Sequence, residues 1–167
     1  MRRSSRPPPT LSLCLLVLLG ACGHRLDNGS YALVTDSVDL DGCALVPSDG
    51  GLWSGALTVS GERVSMDYAL EGVPGSVRLL GLFKAPQYGQ PDGFLADGTG
   101  EHLPVLVTPG PCTSDTTQIH LDAALQDPNH FQGLLRVDYT LTPSSEPNAA
   151  CTKSACQLVA RFHAVPR

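Results

Sequence analysis

The side chains most able to do chemistry in this chain are six cysteines, five histidines and a short acidic stretch, and their spacing limits what they could do. His24, His102, His120, His130 and His163 never fall as H-x-H or H-E-x-x-H, so local spacing writes no zinc site. They read as surface or turn residues. Asp39-Leu40-Asp41-Gly42, with Asp36 nearby, has the alternate carboxylates and turning glycine of the middle of a calcium loop. Ser37 and Ser48 stand where the first carboxylate and the bidentate glutamate belong, so these aspartates read as turn residues and no metal site is predicted. Ser54, within Gly51-Leu52-Trp53-Ser54-Gly55, approximates a nucleophile elbow without the following helix that would present the hydroxyl. No catalytic residue and no cofactor is predicted.

The clearest chemical signal is N-terminal. Arg2, Arg3 and Arg6 precede an almost continuous apolar run from Leu11 to Leu19, the layout of a secretory leader. The run is far shorter than the roughly 20 residues that span a bilayer. Leu19-Gly20-Ala21-Cys22 closes it and resembles the lipobox of bacterial lipoproteins. The resemblance implies that the Cys22 thiol takes a diacylglyceryl group, that cleavage exposes the Cys22 amine for further acylation, and that the mature chain starts there. Two or more acyl chains hold a protein stably on a membrane, where one is marginal. Gly23 follows in place of the aspartate that retains enteric lipoproteins at the inner membrane. The resemblance therefore implies an outer-membrane location, at the periplasmic face or the cell surface, with the lipid bilayer as partner through Cys22.

Residues 1–21 then form the leader, 22–29 the lipidated cysteine and a short polar tether, and 30–167 a single domain. Loss of the three leader arginines leaves 8 basic against 16 acidic side chains, a net charge of −8. Such a domain lacks the electrostatic footprint of a nucleic-acid binder. Cys43, Cys112, Cys151 and Cys156 remain, and four cysteines in an exported chain imply two disulfides with three possible pairings. The closeness of Cys151 to Cys156 favours a local bridge, which leaves Cys43 for Cys112.

The elements that must position these residues read as strands. Val64, Met66, Tyr68 and Leu70 alternate with Arg63, Ser65, Asp67 and Glu71, and Phe131, Leu135, Val137, Tyr139 and Leu141 alternate with Gln132, Leu134, Arg136 and Asp138 over a longer stretch. Residues 31–35, 43–46, 57–59, 103–107, 119–125 and 158–164 supply further candidates, with a short helix at 121–125 as the competing reading of that stretch. Val77 to Phe83 is apolar on both faces apart from Arg78, which predicts the centre of the sheet. Glycines and prolines through 85–101 predict a long loop with only a brief strand at Phe94-Leu95. The fold class is all-β: a single antiparallel sandwich or up-and-down barrel of about eight strands.

Three functions fit such a domain. The first is a non-catalytic binding or protein-interaction module, with Tyr88, Phe94 and Leu95 in the 85–101 loop as the candidate contact residues. The second starts from Gly51-Leu52-Trp53, which resembles the G-x-W found near the first strand of lipocalins; it implies a carrier of a small hydrophobic ligand, lined by Val64, Met66, Tyr68 and Leu70. The third is an inhibitor of an exported protease. A carrier needs a sizeable apolar cavity, an interaction module a filled core with an exposed apolar patch, and an enzyme convergent polar groups in a cleft.

Overall fold

The computed structural model describes residues 26–44, 53–70, 75–85, 87–107, 110–142 and 154–167. They form eight antiparallel strands: β1 (Gly29–Asp41), β2 (Trp53–Ser60), β3 (Arg63–Leu70), β4 (Val77–Phe83), β5 (Gly93–Val107), β6 (Gly110–Asp127), β7 (His130–Leu141) and β8 (Ala155–Pro166). Each pairs with its neighbour in sequence, and β8 returns to β1 to close a barrel. Closure removes both sheet edges and with them the exposed backbone that invites aggregation. No helix occurs among the described residues, so the stretch at 121–125 is strand.

Alternation sets the two surfaces. On β3, Val64, Met66 and Tyr68 point inward and are buried; on β7 the same is true of Phe131, Leu135, Val137, Tyr139 and Leu141. Asp67, Arg78, Asp97, His120, Asp122 and Arg136 point outward. A barrel that crosses a membrane by its strands carries its apolar band outside, the reverse of this arrangement. The interior is therefore a core.

One end of the barrel is sealed. Phe131 lies at the hub of an aromatic cluster, with ring centroids 5.2 Å from Tyr31, 5.4 Å from Phe94 and 6.1 Å from Phe162. Leu26 is buried against this core, and the chain just after it is tied down by hydrogen bonds. The Asp27 amide donates to the Pro128 carbonyl (2.8 Å), the Tyr31 hydroxyl to the Asp27 carbonyl (2.7 Å), and the Val59 amide to Asn28 Oδ1 (2.6 Å). The tether expected over 23–29 thus ends early, because Leu26 gains more by burial than by exposure. Two tight turns share this end. Gly61, at φ 61°, occupies the first central position of the β2–β3 hairpin, where a left-handed backbone is needed. In the β6–β7 turn the Asn129 amide donates to Asp127 Oδ1 (2.7 Å) and His130 Nδ1 lies 2.9 Å from the same carboxylate. These hydrogen bonds hold Asp127 below the usual carboxylate range.

The opposite rim carries the disulfide Cys43–Cys156, with Cα atoms 5.2 Å apart. It overturns the expected pairs Cys43–Cys112 and Cys151–Cys156. The cause is topological: Cys43 follows the end of β1 and Cys156 opens β8, and these strands meet at the closing seam, where Asp41 pairs with Leu158. Cys112 begins β6, two strands away from β8, and is disulfide-bonded rather than a free thiol. Cys151 and Cys22 lie outside the described residues. Cys43–Cys156 is the one disulfide with both ends among those residues.

Two further expectations change. The long loop at 85–101 shrinks to residues 84–92, because β5 is one 15-residue strand that includes Gly93, Gly98 and Gly100. Its glycines mark close packing: a Cβ at Gly98 would stand 2.5 Å from Leu79 Cδ2, and one at Gly100 would stand 2.7 Å from Leu103 Cδ1. The acidic stretch 36–41 is strand rather than turn, with two register shifts along its pairing to β8. Cys43 itself lies in a turn, and residues 45–46 lie outside the described ones.

Candidate functional site

The residues expected to make contacts separate into two environments. Tyr88 stands fully exposed in the β4–β5 loop, and Leu95 points outward from β5. Phe94, its neighbour, points inward and is fully buried, edge-on to Phe83 at 6.0 Å and to Phe131 at 5.4 Å. It belongs to the core and is no contact residue, since adjacent strand residues face opposite sides.

Leu95 instead joins two leucines that sequence reasoning placed in the centre of a sheet. Leu80 and Leu82 on β4 are 63% and 58% exposed and Leu95 is 48% exposed. Leu82 pairs directly with Leu95, and Arg63 lies on the other side of Leu82 in the same row of the sheet. The signal was present in the sequence: a strand apolar on both faces, placed in a barrel with a single interior, must show one of those faces to the outside. Beside the leucines runs a groove of about 620 Å³, lined by Thr58, Ser60, Arg63, Val64, Ser65, Leu80, Gly81 and Leu82. Lys84 and Asp122 form an ion pair at one margin. At the other, Arg78 donates two hydrogen bonds to Asp67 (2.8 and 3.0 Å), which lower the Asp67 pKa and raise that of Arg78. The middle of the patch is apolar, with charges only at its rim.

Elsewhere on the outer surface several charged groups are paired with one another. His120 lies 2.6 Å from Asp97 and His163 2.6 Å from Asp36, while Arg161 reaches Asp39 at 3.5 Å. The carboxylates considered for calcium are thus spread along the β1–β8 seam instead of converging on a point. Among the described residues no three metal-ligating side chains gather. Ser54 is registered against Ala32 and Ala69, away from those histidines. Gly51 and Leu52 lie outside the described residues, and the backbone of Trp53 opens β2. A second surface groove, about 340 Å³, lies over Gly133 and is flanked by Asp122 and Arg161. Burial is the largest influence on Asp138 and opposes its charge, but hydrogen bonds from Arg136 and Gln157 hold its pKa down.

Inside the barrel, Val64, Met66 and Tyr68 occupy the positions expected of a ligand pocket, yet each is buried in the protein's own core; the Leu70 side chain lies outside the described residues. Met66 fills the space in front of Gly55, where a Cβ would stand 2.6 Å from its terminal methyl. Toward the disulfide rim the interior becomes polar: Ser114 and Thr117 share a hydrogen bond of 2.8 Å, and Tyr68 and Tyr139 are buried. Burial pushes both phenols well above the normal tyrosine range. They are neutral hydroxyls at any physiological pH. Among the described residues, the Tyr68 hydroxyl and Thr35 Oγ1 have no hydrogen-bond partner.

The arrangement offers binding surfaces, an apolar outer patch above all, and no assembled acid, base and nucleophile among the described residues. The chain matches no family model, no curated protein sequence and no solved structure.

Proposed function

We propose that this chain is a lipoprotein of the bacterial outer membrane, anchored by acylated Cys22, whose barrel is a non-catalytic binding module that works through its outer surface. The observation that carries the reading is the division of the barrel wall. Inward side chains from all eight strands are buried against one another, while Leu80, Leu82 and Leu95 stand exposed in one patch outside. Exposing large aliphatic side chains side by side on a small barrel has a cost in solubility, and contiguous apolar patches are a feature of interaction sites. The anchor rests on the N-terminal motif. Replacing Cys22 with Ala is expected to move the protein from the membrane fraction to the soluble fraction, as read by fractionation and immunoblotting. Undiminished membrane association of that variant would remove the anchor from the account.

A carrier role has one observation in its favour. A buried phenol with no partner forfeits roughly 1–3 kcal/mol, and a small ligand with a polar group reaching Tyr68 would recover it. An ordered water would do the same. The occupied interior favours the outer surface.

A further inference from the structure

The place where the chain enters the barrel determines what its apolar patch faces. Leu26 is packed into the sealed end, and Asp27 and Asn28 are hydrogen-bonded there. Cys22 lies four residues before Leu26, so even a fully extended chain puts the lipid attachment within about 14 Å of that end. Tyr88, in the β4–β5 loop, belongs to the same end. So do Leu82, one residue before the end of β4, and Leu95, two residues into β5. Leu80 continues the patch up the wall.

We propose that this patch docks on the lipid surface itself, with Tyr88, Leu82 and Leu95 entering the headgroup region beside the acyl chains. The proposal rests on the anchored reading above and names the partner of the same outer site. Three features argue for lipid. The tether is too short to hold the sealed end clear of the bilayer. The exposed apolar groups are an aromatic ring with a polar tip and two aliphatic side chains, a combination suited to the interface. Arg63 and Lys84 at the rim of the patch have long aliphatic stems that can lie along it with their charges in water. Lys84 is paired with Asp122, and Glu62 and Asp92 neighbour the two cations in the same turn and loop, so the end has no basic excess for anionic lipid and the attraction is apolar. Docking in this way leaves the disulfide rim pointing away from the membrane.

The test uses the mature chain from Cys22, which contains every strand, with its disulfides formed and one myristoyl-length chain coupled chemically to the Cys22 thiol. A single chain binds marginally, so any docking contribution is visible in partitioning to neutral phosphatidylcholine vesicles. Tyr88→Asp is expected to weaken partitioning by about tenfold, and Leu82→Ser combined with Leu95→Ser by a similar factor. Gln132→Asp, at the same end but on β7, two strands round from β5 and three from β4, is expected to change nothing. Tyr88 stands fully exposed in a turn, so its replacement leaves the fold intact even where a strand substitution disturbs it. Equal partitioning of Tyr88→Asp and the parent chain would overturn the proposal. So would binding only to anionic vesicles, or a dimer in solution that Leu82→Ser disperses, which would assign the patch to a second copy. Because the acyl chain is installed chemically, the result is independent of whether the cell lipidates Cys22, which the Cys22→Ala fractionation decides separately.

Discussion

Phe131→Ala is expected to remove about 3–5 kcal/mol of folding stability, the usual range for deleting a fully buried phenylalanine. Phe131 is fully buried and touches Tyr31, Phe94 and Phe162, which come from β1, β5 and β8. Removing its ring takes a partner from three strands at once and leaves a cavity that a closed barrel cannot collapse around. A domain of this size has about 5–15 kcal/mol in total, so the loss is a large fraction. Urea titration should give a lower midpoint with an unchanged slope, the sign of reduced stability without a change in the surface exposed. Leu82→Ala, on the outer face, is the companion measurement and should stay within about 0.5 kcal/mol of the parent. A Phe131→Ala midpoint equal to that of Leu82→Ala would mean that the aromatic cluster is not the barrel's core.

The second large effect lies at the other rim. Cys43 and Cys156 are 113 residues apart in sequence, and on the chain-entropy account a loop of that length contributes roughly 4–5 kcal/mol. The bridge fastens β1 to β8, the pair that closes the barrel and has the greatest separation along the chain. Replacing both cysteines with serine is expected to cost about 4 kcal/mol, read by the same titration. Non-reducing peptide mapping should recover Cys43 joined to Cys156. A peptide linking Cys43 to Cys112 would contradict the described seam.

The strands with one dry face and one wet face were legible in sequence, and β3 and β7 are the clearest examples. Alternation is a local property, so it survives without knowledge of neighbours. What was not legible depended on closure. Sequence alone left sandwich and barrel open, because the β1–β8 pairing joins residues at opposite ends of the chain. The same pairing decided the disulfide, which closeness in sequence assigned wrongly. Gly98 and Gly100 read as turn residues because their local signal is identical to that of glycines pressed against a neighbouring strand. In the sequence Phe94 and Leu95 read together as contact residues, yet they face opposite sides once β5 is one continuous strand. The apolar patch is half visible in the sequence: Tyr88 and Leu95 stand out as contact residues, whereas Leu80 and Leu82 read as part of a strand at the centre of the sheet.

On the proposed reading the interior belongs to the core and the outer surface does the binding. Native mass spectrometry of the mature chain, with its disulfides formed and its lipid omitted, followed by organic extraction, tests it most directly. The expected result is the mass of the polypeptide alone. A stoichiometric small molecule that is lost in the Tyr68→Phe variant would contradict it and make the barrel a carrier.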